Sequence, residues 1–428
     1  MNDTEIVRVR GRRIWDSRGR PTVEADVVLA CGALGRAAAP AGASRGTREA
    51  VDLRDGGARF GGLGVANAVA NVNGPIAAAL AGMDARDQAA IDARLVALDG
   101  TPTKARLGGN ATVATSLAVL HAAAAAAGQP LWAHLAGDAA PTLPLPEIQI
   151  FGGGAHAGRR VDVQDFMVVA TGARSFAEAL EMTAEVHRAA GELMRDAGKL
   201  AGVADEGGWW PAFDSNEAAL AMLVRAIERA GYAPGAEVAI SLDIAASELG
   251  RGGRYRLGLE GRELPGDGLA ELLAGWIERY PIVSVEDPLG EDDPEGMARF
   301  TRAVGDRVQV VGDDFLVTSA ARVAEAAAIG ACNCALIKPN QAGTVTETRA
   351  ALDAARAAGW ATIVSARSGE TEDTSIVDLA VGWRAGQLKV GSFARSERMA
   401  KWNAALRIEE ALGERARFAG AAALARRG

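Results

Sequence analysis

Six short runs decide the fold of this chain: Val238-Ala239-Ile240-Ser241-Leu242-Asp243, Ile282-Val283-Ser284-Val285-Glu286, Val308-Gln309-Val310-Val311-Gly312-Asp313, Cys334-Ala335-Leu336-Ile337-Lys338, Thr362-Ile363-Val364-Ser365-Ala366-Arg367-Ser368 and Gln387-Leu388-Lys389. Each is apolar until it ends on a polar residue, and the residues Asp243, Glu286, Asp313, Lys338, Arg367 and Lys389 follow one another at spacings of 43, 27, 25, 29 and 22. A strand, a crossover helix and a return take roughly 30 residues. Between the runs, residues 268–280, 294–304, 318–329, 344–358 and 371–384 read as helices. Alternating βα units with apolar strands predict a parallel sheet covered on both faces. Polar residues gathered at strand carboxyl ends predict a closed barrel with its site at that mouth.

Asp243, Glu286 and Asp313 form an oxygen-only donor set without nearby Cys or His, which suits Mg2+ better than Zn2+. A lone Asp at a strand end is usually a helix cap or an ion-pair partner; three at successive strand ends favour a metal. Lys338 and Lys389 lie beyond them on the same mouth. A lysine beside a divalent cation and a second ammonium gives up its proton more readily, so a base is expected there. Arg367 and Ser368 offer a guanidinium fork and a hydroxyl for a phosphate or carboxylate.

Upstream, residues 6–40 read as strands with Gly32 and Gly35 at turns, followed by the small-residue loop Pro40-Ala41-Gly42-Ala43-Ser44-Arg45-Gly46. Residues 65–136 are helical in pattern, and Pro141, Pro144 and Pro146 place a domain boundary near 140. The expectation is an α+β capping domain at 1–140 and a barrel at 141–428. In the second part, residues 145–150 and 161–169 read as strands, and Ser175 with Glu178 opens a helix over 175–197. Ala204-Asp205-Glu206-Gly207-Gly208 puts two acids in a glycine turn, which is poor strand or helix material and marks a site.

With 428 residues, two domains are the sensible expectation. A net charge of −8 and a pI near 5.3 argue against nucleic acid as the main partner. Three cysteines, Cys31, Cys332 and Cys334, do not suggest a disulfide framework and fit a reducing cytoplasm. The first residues lack the basic-then-apolar pattern of a signal peptide. The longest apolar stretch, 116–127, is broken by His121 and too short for a bilayer, so a soluble protein is expected.

The chain resembles the enolase (phosphopyruvate hydratase) family from end to end. The resemblance is carried by Asp16-Ser17-Arg18-Gly19, Leu53-Arg54-Asp55-Gly56, Asn71-Val72-Asn73, Leu98-Asp99-Gly100-Thr101, Asp205-Glu206-Gly207-Gly208, Ser284-Val285-Glu286-Asp287-Pro288, Val311-Gly312-Asp313-Asp314, Ser368-Gly369-Glu370-Thr371-Glu372-Asp373 and Arg395-Ser396-Glu397-Arg398. It implies an α/β fold, an enolase-type modified (β/α)8 barrel with an N-terminal α+β capping domain, in homodimers or larger homo-oligomers. It implies one tight Mg2+ on Asp243, Glu286 and Asp313, and a second, arriving with substrate, reached by Ser44. Lys338 would remove the C2 proton of 2-phosphoglycerate and Glu206 would help the hydroxyl leave. Arg367 and Ser368 would hold the phosphate, Lys389 the carboxylate region, and His156 and Gln164 would close over the substrate.

Departures from the family pattern cluster at these positions. Ala366 stands where the family has His, Asp165 where it has Glu, and Gln149 and Gly152 where it has Asn. Ala204 replaces Gly, Pro294 replaces Trp, and Arg45 puts a cation in the lid loop. The expectation is a specialised lyase forming an enolpyruvate product from a phosphorus-bearing three-carbon acid, with Arg45 and Asp165 among the substrate contacts. One such relative makes carboxyphosphonoenolpyruvate in phosphinate natural-product pathways. An ordinary enolase and a non-catalytic binding paralogue are the alternatives.

Overall fold

The computed structural model describes residues 2–425. The chain opens with an antiparallel meander, β1 (Ile6–Trp15), β2 (Pro21–Leu29) and β3 (Leu34–Ala38). One face of β2 carries Val23, Ala25 and Val27, all buried against the alanine-rich helix Gly109–Ala126. That helix is apolar on nearly every side, as an element enclosed by sheet and helices must be.

Eight strands then close into a barrel: β4 (Leu145–Gly152), β5 (Asp165–Val169), β6 (Ala239–Asp243) and, beyond a small sheet of β7 (Gly250–Arg251), β8 (Arg254–Leu257) and β9 (Arg262–Pro265), strands β10 (Ile282–Glu286), β11 (Gln309–Gly312), β12 (Cys334–Ile337), β13 (Ala361–Ser365) and β14 (Gly386–Gly391). The order around the barrel is β10-β11-β12-β13-β14-β4-β5-β6. The parallel reading holds from β10 through β14 to β4 and between β6 and β10, but β5 runs antiparallel to both neighbours. The cause is local. Residues 153–164 contain one short turn, Gly154–Ala157, and no crossover helix, so the chain can only reverse after β4. Both helices Phe176–Asp196 and Asn216–Arg229 fall between β5 and β6.

Ser175 caps its helix as expected, accepting from Glu178 N at 3.1 Å. The last of the predicted helices starts at Ser375 rather than 371, because Asp373 is committed to both sides of a turn: Oδ1 accepts from Ser375 N and Oδ2 from Ala38 N of the capping sheet. The three cysteines are free thiols. Among the described residues no helix is long and apolar enough to cross a membrane.

Below the mouth, the barrel strands carry a buried polar network beside the apolar cluster of Val311, Cys334, Leu336 and Ile363. Gln309 and Gln387 exchange amide hydrogen bonds at 2.9 and 3.0 Å, Gln309 also reaches Ser284, and Ser241 donates to Glu147 at 3.0 Å. Outside it, Trp402 of the helix Ser396–Leu412 is fully buried near Phe176 and donates to Ser392 O at 3.2 Å. Trp402→Ala removes that whole volume and the hydrogen bond, and should cost about 3–5 kcal/mol, read as a lower urea midpoint with an unchanged slope.

Candidate active site

All six strand-end residues lie at one mouth and all are buried. Asp243 and Glu286 are register partners on β6 and β10, so their side chains leave the sheet side by side. Lys389 joins them: its Nζ is 2.7 Å from Glu286 Oε2, 2.9 Å from Asp243 Oδ2 and 3.5 Å from Asp165 Oδ2. Asp313 sits one residue beyond β11 in a turn fixed by Asp287, whose carboxylate accepts from Asp313 N at 2.9 Å and Asp314 N at 2.7 Å. Lys338 Nζ pairs with Asp313 Oδ2, and Gln341 Nε2 donates to Asp313 Oδ1 at 2.8 Å.

The three carboxylates proposed as ligands therefore share the mouth, yet in this conformation they are spread over two ammonium partners rather than aimed at one point. The tightest acidic groupings are His156 with Asp165 and Glu206, and Asp287 with Asp313 and Asp314. The donor chemistry nevertheless fits a hard cation. Glu286 Oε1 and Gln164 Oε1 are buried without a hydrogen-bond partner, and oxygens left so in low dielectric call for a cation or donor. Burial and the neighbouring Asp243 push the Glu286 carboxyl well above its ordinary range, the mark of more negative charge than the lysines offset.

Lys338 is buried beside Asp313. Burial disfavours its charge, but Asp313 together with Glu286 holds its pKa above the ordinary lysine value.

The other side of the mouth comes from residues 153–165 and the turn at 204–208. His156 Nδ1 is 3.0 Å from Asp165 Oδ1, and its Nε2 is 3.0 Å from Ser368 Oγ and 3.5 Å from Glu206 Oε1. Burial opposes a charged imidazole, but Glu206 and Asp165 outweigh it and hold His156 at about 9. The Glu206 turn needs its glycine: Gly207 has φ +92°, and a Cβ there would lie 2.3 Å from Ala394 O.

The loop 40–46 folds over all of this. Ser44 Oγ accepts from Gln164 Nε2 at 3.2 Å, and the same Nε2 reaches Asp243 Oδ2 at 3.1 Å. Arg367 donates from Nη2 to Ser44 O at 2.9 Å and pairs through Nη1 with Glu49 at 2.9 Å. Twelve residues, Ala366 among them, line a space of about 10 Å³, room for about one water. Arg45 does not line this space; its side chain is exposed on the outside of the loop. Gly42 has no room for a side chain, since a Cβ would lie 1.9 Å from Arg367 Nη2. Gly42→Ala should hold the loop off the mouth and raise KM about 10- to 100-fold, at the usual 1–3 kcal/mol cost of overpacking, with the melting temperature nearly unchanged.

Several residues of this machinery escaped sequence reasoning. Glu49 holds Arg367, Gln341 holds Asp313, and Arg398 donates to the carbonyls of Arg367, Ser368 and Val390, fixing the turn after β13. The run Lys338-Pro339-Asn340-Gln341 could have flagged two amides beside the lysine. Glu49 carries no local signal, because its partner Arg367 is 318 residues away, and Arg398, although part of the Arg395–Arg398 motif, has carbonyl partners that only the fold identifies. Three departures from the family pattern also touch one another: a Cβ at Gly152 would lie 2.6 Å from Ala204 Cβ and 3.0 Å from Gln149 Oε1.

A closed eight-stranded barrel with buried acids and lysines at its carboxyl mouth, covered by a loop from a capping domain, belongs to the barrel enzymes that work at that face. The family model described as Enolase, N-terminal domain matches residues 6–135, and the one described as Enolase, C-terminal TIM barrel domain matches residues 140–427. The chain belongs to the enolase family.

Proposed function

We propose that this chain is a Mg2+-dependent lyase that forms an enolpyruvate product from a 2-phosphoglycerate-like acid carrying an additional anionic group, in the manner of a carboxyphosphonoenolpyruvate synthase of phosphinate biosynthesis. The observation that carries the specialisation is Ala366. It lines the closed site between Ser365 and the Arg367-Ser368 pair with only a methyl group, where the family pattern has an imidazole. A ligand larger than the ordinary one by a small group gains its space there.

Asp243, Glu286 and Asp313 would hold the cation, which when bound supplies positive charge to a substrate carboxylate as its negative charge grows. Lys338 would then take the C2 proton. Glu206, beside His156, would protonate the departing hydroxyl. In the barrel order Lys338 follows β12 and Glu206 lies in the connection after β5, four places away around the ring, which supports a base and an acid on opposite sides of the substrate. Arg367 and Ser368 would bind the phosphorus group, Lys389 the carboxylate, and Ser44 and Gln164 would complete the closed site, with Ser44 serving a second Mg2+. A cytoplasmic homodimer or larger homo-oligomer is part of the same reading, and light scattering tests its mass.

The deciding experiment follows phosphorus by 31P NMR with Mg2+, offering 2-phosphoglycerate and its P-carboxylated phosphonate analogue. The analogue should be dehydrated and 2-phosphoglycerate converted slowly, and Ala366→His should raise the latter at least about tenfold, a modest share of what a positioned acid–base group supplies. Conversion of 2-phosphoglycerate at ordinary enolase rates would replace this reading with the plain family reaction. Failure to bind both Mg2+ and a phosphonate enolate mimic in calorimetry would leave a non-catalytic paralogue.

A further inference from the structure

Gln149 ties together two parts of the mouth that come from different connections. Its Nε2 donates to Asp165 Oδ1 and lies 3.5 Å from His156 Nδ1, while its Oε1 accepts from Gly208 N at 2.8 Å. Only one orientation of the amide satisfies a carboxylate on one side and a backbone N–H on the other. Asp165 in turn holds His156. Gly208 closes the turn that carries Glu206, through Gly208 O accepting from Ala204 N at 2.8 Å. One buried amide therefore spans from the His156 pair to the Glu206 turn.

The amide is also sterically clamped. A Cβ at Gly208 would lie 2.6 Å from Gln149 Oε1, and one at Gly152 would meet both Gln149 Oε1 at 3.0 Å and Ala204 Cβ at 2.6 Å. Gln149 itself is buried and does not line the cavity.

We infer that Gln149 is a positioning residue that sets the separation of His156 from Glu206, and thereby governs departure of the leaving group and not proton removal by Lys338. The assignment rests on the lyase reading above. An Asn at this position is shorter by one methylene and cannot reach Asp165 and Gly208 together. A misplacement of about 1 Å in a reacting group can cost about 10²-fold.

The test uses the full-length, Mg2+-loaded protein and two variants: Gln149→Asn, and Gln149→Met, which keeps the volume and loses both hydrogen bonds. Exchange of the substrate C2 proton in D2O reports Lys338, and formation of the enol product reports elimination, each followed by NMR with 2-phosphoglycerate and with its P-carboxylated phosphonate analogue. In both variants elimination should fall roughly 10- to 100-fold while C2 exchange stays within about threefold. Equal losses in the two rates, or no loss in either, would overturn the role of Gln149 alone. Wild-type protein that neither exchanges nor eliminates would overturn the lyase reading and this assignment with it.

Discussion

Lys338→Met should stop C2 proton exchange and turnover, by about 10²- to 10⁴-fold, while substrate binding survives. Lys338 is buried at the end of β12 and touches Asp313, and Lys389, the other ammonium at the mouth, is engaged by Asp243, Glu286 and Asp165. No lysine is therefore free to substitute. The stability change separates this role from a structural one. Removing one member of a buried ion pair commonly costs about 3–5 kcal/mol, because the other charge is stranded. Asp313 keeps Gln341 at 2.8 Å and the backbone turn held by Asp287. A bound cation would add a further partner, so the variant should lose clearly less stability in Mg2+ than in EDTA. Urea titrations in both conditions, beside the exchange assay, check it. An equal loss in the two conditions would show that Asp313 is no ligand.

Glu286→Gln should abolish turnover yet leave the chelated protein as stable as wild type or more so. Glu286 Oε1 is buried with no partner, and the adjacent Asp243 repels the charge. An amide of the same size removes that repulsion and can donate to Asp243, whereas Lys389 retains Asp243 and Asp165. With Mg2+ the order reverses. Ligand binding to the native state alone stabilises by about 2.7 kcal/mol at 100 times Kd. Wild type should gain this in Mg2+, and Glu286→Gln should gain little of it. Melting temperatures across a Mg2+ series give the comparison directly, and a variant that gains as much as wild type would remove Glu286 from the site.

Much of this was legible because local chemistry and global fold agree in the second half of the chain. The runs ending at Asp243, Glu286, Asp313, Lys338 and Arg367 are all barrel strands with those residues at or just past their carboxyl ends, and Lys389 lies two residues before the end of β14. A strand of alternating apolar residues announces itself by composition, and a site at a strand end is simply where the pattern breaks. The direction of β5 was not legible, because direction depends on what a connection can span, and residues 153–164 look like any glycine-rich loop. The orientation of Arg45 was not legible for a related reason: sequence places it in the loop, and the fold buries Ser44 and leaves Arg45 exposed.

The sequence by itself determined the fold class, the family, the oxygen-rich donor set and the identity of the residues at the mouth. These follow from side-chain chemistry and from spacing along one chain. Only the tertiary structure decided the pairings: Lys389 across Asp243 and Glu286, Glu49 under Arg367, Gln149 between Asp165 and the Glu206 turn. Each pairing joins groups that are distant in sequence and is fixed by the low dielectric of the closed mouth, where a buried charge or amide must find whichever partner the fold brings within about 3 Å.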